Sequence, residues 1–156
     1  MVITEEKVWK LLEEVKDPEL PLLNIIEMGI ARGIAIKPGM VEVEITPTYS
    51  GCPAMNMIET DVISLLKENG IECKVITIYS PAWTTDWLSN EAREKLIKLG
   101  IAPPGKNVDE IFEKNTQCPF CKSHNTKLTS NFGSTACKSL HFCNECIQPF
   151  EQFKCI

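Results

Sequence analysis

The sequence predicts an α+β fold followed by a small ribbon that is held together by a metal. The first hundred or so residues alternate between helical and strand patterns of apolar residues, which is typical of helices packed over a small sheet. Two Cys-x-x-Cys pairs, Cys118-Pro-Phe-Cys121 and Cys143-Asn-Glu-Cys146, then follow with 21 residues between them. We therefore expect one domain over residues 1–105, a linker over 106–115 and a four-cysteine ribbon over 116–156.

The first element is a helix that begins after Thr4. Thr4 can cap the helix, and Glu5 and Glu6 lie in the first turn, where negative charge is favourable. The helix should end near Lys16 because Pro18 disfavours continuation. Apolar residues recur at helical spacing between these limits: Val8, Leu11, Leu12 and Val15.

A hairpin and a further strand should follow. Residues 30–36 and 40–46 are predicted as strands, joined at Lys37-Pro38-Gly39. The second strand alternates apolar and polar residues over Val41–Ile45, as a half-buried strand does. A third strand is predicted at 73–79, where Cys73 would belong to the core.

Two more helices complete the predicted domain. Pro53 suits the first position of a helix that ends at Asn69-Gly70. A last helix around 89–99 should stop at Gly100, and a short helix near 108–114 could follow within the linker. The apolar stripe of the middle helix consists of Met55, Ile58, Val62 and Leu66.

The two cysteine pairs predict a metal site. Each pair points two thiolates at one point, so Cys118, Cys121, Cys143 and Cys146 would form the tetrahedral four-thiolate site that zinc prefers. A piece as small as 116–156 buries too little apolar surface to fold without such help. The alternatives are two disulfides, four unrelated thiols, or iron in place of zinc.

Other ribbon residues could take part in metal binding. Cys137 and Cys155 could form a second site or a redox pair, or they could be buried beside the first site. His124 or His141 could replace one cysteine ligand, although a four-thiolate site does not need them.

Composition and charge argue against several classes of protein: secreted, membrane-spanning and nucleic-acid-binding. The start of the chain lacks the features of a signal peptide, so eight cysteines indicate reduced thiols in the cytoplasm. No stretch approaches the length of a membrane span. Residues 1–115 carry 12 basic and 19 acidic side chains, a net charge of −7, whereas 116–156 carry a net charge of +2. An acidic body of this kind disfavours nucleic-acid binding, although the weakly basic ribbon leaves such binding open without requiring it.

Cys52 is the sharpest single candidate outside the ribbon. It lies in the loop from Thr46 to Cys52, just before a helix, where the helix dipole favours an anion and therefore a thiolate. A thiolate there could bind a soft metal or an iron–sulfur cluster. The alternative is a small buried apolar residue. Asp17 and Glu19 could supply oxygen ligands or hydrogen bonds to this loop, or they could be solvated charges of a turn.

A third segment, Trp83-Thr-Thr-Asp-Trp87, predicts either a wet pocket or partner surface, or a packed corner. The sequence holds no nucleophile–base set and no glycine-rich phosphate loop, which argues against ordinary acid–base catalysis.

Several motifs resemble known families. Asp17-Pro-Glu19 and the loop Thr46-Pro-Thr-Tyr-Ser-Gly-Cys-Pro53 resemble the iron–sulfur assembly domain of SufT-like maturation factors. Tyr79–Trp87, Phe132–Lys138 and the segment from Pro149 to Cys155 resemble D subunits of the phenylacetyl-CoA epoxidase system. The resemblance implies an iron–sulfur-assembly-like α/β sandwich before the zinc ribbon.

The resemblance also implies an accessory role. A protein of this kind would assemble, deliver or repair an iron or iron–sulfur centre for the oxygenase and reductase subunits in aerobic phenylacetate degradation, without being the catalytic subunit. Cys52 would be the transfer thiolate, with Asp17, Glu19 and Thr46 in support, and two copies could share a cluster in a homodimer. The alternatives are a structural adaptor of the oxygenase complex and a general iron–sulfur maturation factor.

Overall fold

The α+β class is confirmed by a computed structural model that describes residues 2–49, 51–104 and 116–154. The chain forms two compact units, Met1–Trp83 and Thr84–Ile156. The predicted linker over 106–115, with its short helix, lies outside the described residues, and so does Cys155. In the described ranges, no helix is both long and apolar enough to cross a membrane.

The first helix, α1, spans Glu5–Leu12. The Thr4 side chain accepts a hydrogen bond from the backbone N–H of Lys7, at 3.3 Å, as the sequence predicts for a cap. The predicted end near Lys16 is wrong by about one turn. The backbone of Val15 instead accepts a hydrogen bond from Ile25, and Lys16 forms a bridge with Asn24, so the chain leaves the helix to pair with the next segment.

The first unit contains a three-stranded sheet in the order β1-β2-β3. Strand β1 (Ala31–Lys37) pairs antiparallel with β2 (Met40–Ile45), which confirms the hairpin. Strand β3 (Cys73–Thr77) lies parallel to β2. A parallel pair needs a crossover connection, and the helix between these two strands supplies it.

That helix, α2, spans Ala54–Glu68 and ends at Asn69, as predicted. Pro53 is the N-cap and not the first helical residue, and it offers no side-chain cap. The predicted apolar stripe is shifted by one residue at its start, because Ala54 is buried and Met55 is only half-buried. The buried face consists of Ala54, Ile58, Val62 and Leu66.

The second unit begins with a short 3₁₀ turn at Thr85–Trp87 and helix α3 at Asn90–Lys98. Ser89 caps α3 by accepting a hydrogen bond from the N–H of Ala92, at 3.0 Å. A four-stranded sheet follows in the order β4-β7-β6-β5. Its strands are β4 (Ile101–Ala102), β5 (Thr126–Ser130), β6 (Lys138–Cys143) and β7 (Gln148–Phe153).

The core beneath this sheet is small and includes two of the predicted metal ligands. Cys118 and Cys143 are fully buried beside Ala102 and Phe150, and Cys146 packs against them. A core of this size buries little apolar surface, so the thiol cluster is part of what organises the ribbon.

Candidate metal centre

The two cysteine pairs meet at one point, with all four sulfur atoms within 4.8 Å of one another. The Sγ atoms of Cys118 and Cys146 are 3.7 Å apart, and those of Cys121 and Cys143 are 3.6 Å apart. Sulfurs at the corners of a tetrahedron with metal–sulfur bonds of about 2.3 Å would be separated by about 3.8 Å. The cluster therefore has the dimensions of a four-thiolate metal site.

These thiols are not paired as disulfides. All four are free, and the separations between their sulfur atoms are well beyond the roughly 2 Å of a disulfide bond. Each close pair also joins one cysteine from the first motif to one from the second, which is the arrangement of a shared ion.

The first motif forms a turn that closes on itself. The N–H of Lys122 donates to the carbonyl of Cys118, at 3.0 Å, and the N–H of Cys118 donates to the carbonyl of Ser123, at 2.8 Å. Lys122 has a φ of 65°, in the left-handed region that residues other than glycine rarely adopt. This turn brings Cys121 back over Cys118 and leaves Cys121 exposed at the surface.

The second motif has the same shape at its end, where Ile147 has a φ of 57°. In each motif the left-handed residue directly follows the second cysteine. The sequence does not predict this symmetry because neither residue is a glycine or an asparagine, the usual signals for this conformation.

The backbone of the second motif favours a thiolate. Hydrogen bonds from the backbone N–H groups of Cys146 and then Glu145 lower the pKa of Cys143 to about 7. Removal from water, reinforced by the neighbouring thiols, raises the pKa of Cys146 to about 12. Metal binding requires all four groups as thiolates, so loading of the site releases protons.

Neither histidine joins the cluster. His141 is buried, its ring stacks on Phe150 at 5.4 Å between centroids, and its Nε2 lies 2.9 Å from the hydroxyl of Ser139. Burial lowers the pKa of His141, which favours the neutral ring. His124 is exposed.

Cys137 and Cys73 also lie apart from the four-cysteine group. Cys137 is buried with its sulfur 3.0 Å from the hydroxyl of Thr135. Cys73 is half-buried on β3, and burial followed by the charge of Glu72 raises its pKa. Among the described residues, the four ribbon cysteines are the group of His, Cys, Asp or Glu side chains whose ligand atoms lie close enough together to hold a metal ion.

Cys52 lies one residue before the N-cap of α2, where the sequence predicts it. Its side chain is half-buried, and the hydroxyl of Thr48 approaches its sulfur at 3.9 Å. Its N–H donates to the carbonyl of Tyr49, and its own carbonyl accepts from Met55. The preceding Gly51 has a φ of 78°, a conformation that glycine adopts more readily than other residues.

The three supporting residues have structural contacts. Asp17 is buried and accepts hydrogen bonds on Oδ1 from the N–H groups of Glu19 and Leu20, at 2.8 and 3.0 Å. It therefore shapes its own turn, and Glu19 is half-buried within that turn. Thr46 is buried and its N–H donates to the carbonyl of Ile30, at 2.9 Å, which anchors the start of the Cys52 loop.

Thr48 is a residue near Cys52 that the sequence does not single out. It is buried and its hydroxyl faces the sulfur, whereas the family resemblance points to Thr46 in the same loop. Both threonines lie in the loop after β2 and both are buried, so no signal in the sequence separates them.

The tryptophan segment favours the packed-corner interpretation. Trp83 is 2% exposed, and its Nε1 donates to the carbonyl of Met28, at 2.7 Å. In the second unit, Thr85 is buried and its carbonyl accepts from the buried guanidinium of Arg93, at 3.0 Å. Arg93 also donates to the carbonyl of Pro104, at 2.6 Å. The polar groups of this corner thus hold backbone in place.

Comparison with known proteins gives matches for both parts of the chain. Residues 5–77 match the family described as iron–sulfur cluster assembly protein, and residues 103–154 match the PaaD zinc beta ribbon domain. A protein of Escherichia coli K12 that carries the name of the D subunit of 1,2-phenylacetyl-CoA epoxidase is 41% identical over 152 residues. The alignment covers 96% of this chain and 92% of that protein.

Two further relatives match the first part. An Fe-S protein maturation auxiliary factor of Porphyromonas gingivalis is 32% identical over 63% of this chain and 92% of its own length. The crystal structure of a DUF59 domain of unknown function from Bacillus anthracis has a TM-score of 0.55 at 30% identity. That match covers 59% of this chain and 90% of the solved chain.

Proposed function

The chain belongs to the family of D subunits of 1,2-phenylacetyl-CoA epoxidase, and we propose that it is an accessory factor that assembles, delivers or repairs an iron or iron–sulfur centre for that complex. An iron–sulfur assembly domain and a four-cysteine ribbon stand in one chain. The family relationship implies association with other epoxidase subunits. The oxygenase and the reductase are the proposed clients.

In this proposal the ribbon holds zinc in a structural role. The four sulfurs already lie at the separations of a tetrahedral site, and two of the four are fully buried. A closed four-thiolate site leaves no open coordination position, which is typical of structural and not catalytic zinc. When bound, zinc would supply folding energy to the ribbon.

Cys52 is the proposed transfer thiolate. It precedes a helix N-terminus and is half-buried, so it combines a favourable place for an anion with access from outside. No group of three ligating side chains surrounds it among residues 2–49, 51–104 and 116–154. Iron or a cluster held there would therefore take further ligands from another molecule, either a second copy of the chain or a client.

The observation that carries the proposal is that this isolated, accessible cysteine lies within the iron–sulfur assembly domain. The proposal is tested by anaerobic reconstitution of the full chain with ferrous iron and sulfide, followed by absorption spectroscopy. We expect Cys52→Ser to lose the cluster signal and Cys73→Ser, the matched control, to retain it. A Cys52→Ser protein that keeps the full signal would contradict the transfer role.

The second candidate function is a structural adaptor of the oxygenase complex. The absence of a second ligand set near Cys52 in the described residues favours this candidate, because an adaptor needs no cargo site. The two functions differ in cells. An adaptor with Cys52→Ser should keep both complex formation and full epoxidase activity, whereas a delivery factor should keep the complex and lose activity.

A further inference from the structure

The first unit has an open groove between the end of α1 and the exposed face of α2. One wall is the turn that follows α1, including Val15, Pro18 and Pro21. The other wall is α2, where Met57, Asp61, Ser64, Leu65 and Glu68 recur at helical spacing. Its volume is about 440 Å³. Because the groove is largely open to solvent, its shape suits a segment of a protein better than an enclosed small molecule.

The floor of the groove is apolar. Leu65 is half-buried, so part of its side chain can contact an occupant, whereas Val15 is 4% exposed and adds little accessible surface. Met57 lies at one end and is 55% exposed, although it is a large apolar side chain. A flexible thioether adapts to differently shaped partners, which is why methionine recurs on binding surfaces.

The rim of the groove is acidic. Glu14, Asp61 and Glu68 are all exposed, and the buried carboxylate of Asp17 lies in the wall that follows α1. Among the described lining residues, Lys16 carries the positive charge, and its ammonium group donates to the carbonyl of Glu13, at 3.5 Å. The groove therefore has an excess of negative charge, which complements a basic partner and repels an acidic one.

The geometry points to this groove as the docking site for a basic segment of a partner protein, with an apolar side chain as its anchor against Leu65 and Met57. A second copy of the first unit fits poorly, because Met1–Trp83 carries 7 basic and 13 acidic side chains, a net charge of −6, and would bring like charges together. The inference deepens the proposed function, since the occupant would be the client that receives the metal centre.

Site-specific photocrosslinking in cells of the source organism tests the groove. Ser64→p-benzoylphenylalanine places the reactive group on the groove wall at an exposed position. The control carries the same group in place of Glu94, an exposed residue of α3 in the second unit. We expect a crosslink from position 64 to a partner segment with net positive charge and a large apolar residue, mapped by mass spectrometry.

Charge reversal then tests the recognition. Asp61→Lys with Glu68→Lys, in the full chain carrying the crosslinker at position 64, should reduce the crosslink by about tenfold or more, because the rim would repel the partner. The matched variant Glu94→Lys should leave it unchanged. Circular dichroism of both proteins checks that these exposed substitutions leave the fold intact.

Each outcome decides the proposal. A crosslink to a second copy of this chain, to an acidic segment, or to no protein beyond those found at position 94 would overturn it, and so would insensitivity to charge reversal. If the mapped segment is basic but belongs to a protein outside the epoxidase system, the groove assignment stands and the proposed function fails. The two failures are therefore distinguishable.

Discussion

Ile147 and Lys122 each occupy a left-handed conformation directly after the second cysteine of a motif. For a side chain with a Cβ this conformation costs about 1–2 kcal/mol, and a β-branched residue is disfavoured most. The conformation persists because the surrounding turn must return the second sulfur to the first. At these two positions the metal site imposes a backbone conformation that the residues do not favour by themselves.

Replacement of Ile147 by glycine should stabilise the zinc-loaded chain by about 0.5–1 kcal/mol, because relief of the left-handed strain exceeds the entropy that glycine adds to the unfolded state. Ile147 is 65% exposed, so little packing is lost. The free energy of unfolding at fixed zinc concentration measures the effect. The same change at Ile63, within α2, should destabilise the chain by about 1 kcal/mol. Equal effects at both positions would contradict this explanation.

Cys73 provides a pH-dependent prediction. Burial and the neighbouring Glu72 raise its pKa above the ordinary value of 9.0, so the unreactive thiol form persists to higher pH in the folded chain. Alkylation of Cys73, resolved by peptide mass spectrometry, should therefore rise with pH and inflect above pH 9.0 in the folded state. Glu72→Gln should move the inflection downward. An inflection that is the same in the folded and the urea-unfolded chain would rule out the effect.

At the scale of elements, the sequence predicts those whose signals are local. The Thr4 cap, the alternation of Val41–Ile45 and the stripe along α2 each depend on neighbours a few residues away. The early end of α1 is not predicted because it is set by pairing of Lys16 with Asn24, eight residues further along the chain. Asn24 also accepts hydrogen bonds from the N–H groups of Ile26 and Glu27, which forms a turn at the residue that pairs with Lys16.

The functional residues show the same difference between signals that are local in sequence and contacts that form only in the fold. The spacing of the four cysteines predicts their convergence because two short turns can meet in only a few ways. The buried Arg93 is not predicted, since arginine is mostly found at surfaces and its two carbonyl partners, Thr85 and Pro104, are identified only in the fold. Contacts of this kind depend on tertiary packing and leave no local pattern.

The end of α3 depends on a close approach between two elements. Gly100 has a φ of 74°, and a Cβ there would lie 2.7 Å from Cζ of Phe120 in the first cysteine motif. Gly100→Ala should therefore lower the free energy of unfolding of the second unit by about 1–2 kcal/mol. The measurement is chemical unfolding at fixed zinc concentration.

Removal of the ring isolates the steric part of this effect. In a Phe120→Ala background, Gly100→Ala should cost less, since only the left-handed backbone penalty remains. A cost that does not change with the ring absent would show that Phe120 does not restrict this position.

At the scale of the whole molecule, the two units should respond differently to metal removal. The first unit has a core of its own under a three-stranded sheet, whereas the small core of the ribbon includes its metal ligands. Chelation should therefore unfold the ribbon and leave the first unit folded, because structural zinc supplies much of the folding energy of such a module.

Hydrogen exchange of the full chain, before and after treatment with a strong chelator, measures this difference. We expect β5, β6 and β7 to lose protection while β1, β2 and α2 keep theirs. Loss of protection throughout the chain would show that the first unit depends on the metal, and retention throughout would show that the ribbon does not.

The central claim is that the chain separates a permanent metal at four ribbon sulfurs from a passing one at Cys52. Metal analysis of anaerobically purified wild-type, Cys52→Ser and Cys143→Ser chains tests it most directly. We predict stoichiometric zinc in the wild type and in Cys52→Ser, a loss of zinc in Cys143→Ser, and iron that is lost in Cys52→Ser but kept in Cys143→Ser. Wild-type protein without stoichiometric metal, or with iron at the ribbon in place of zinc, would contradict the account.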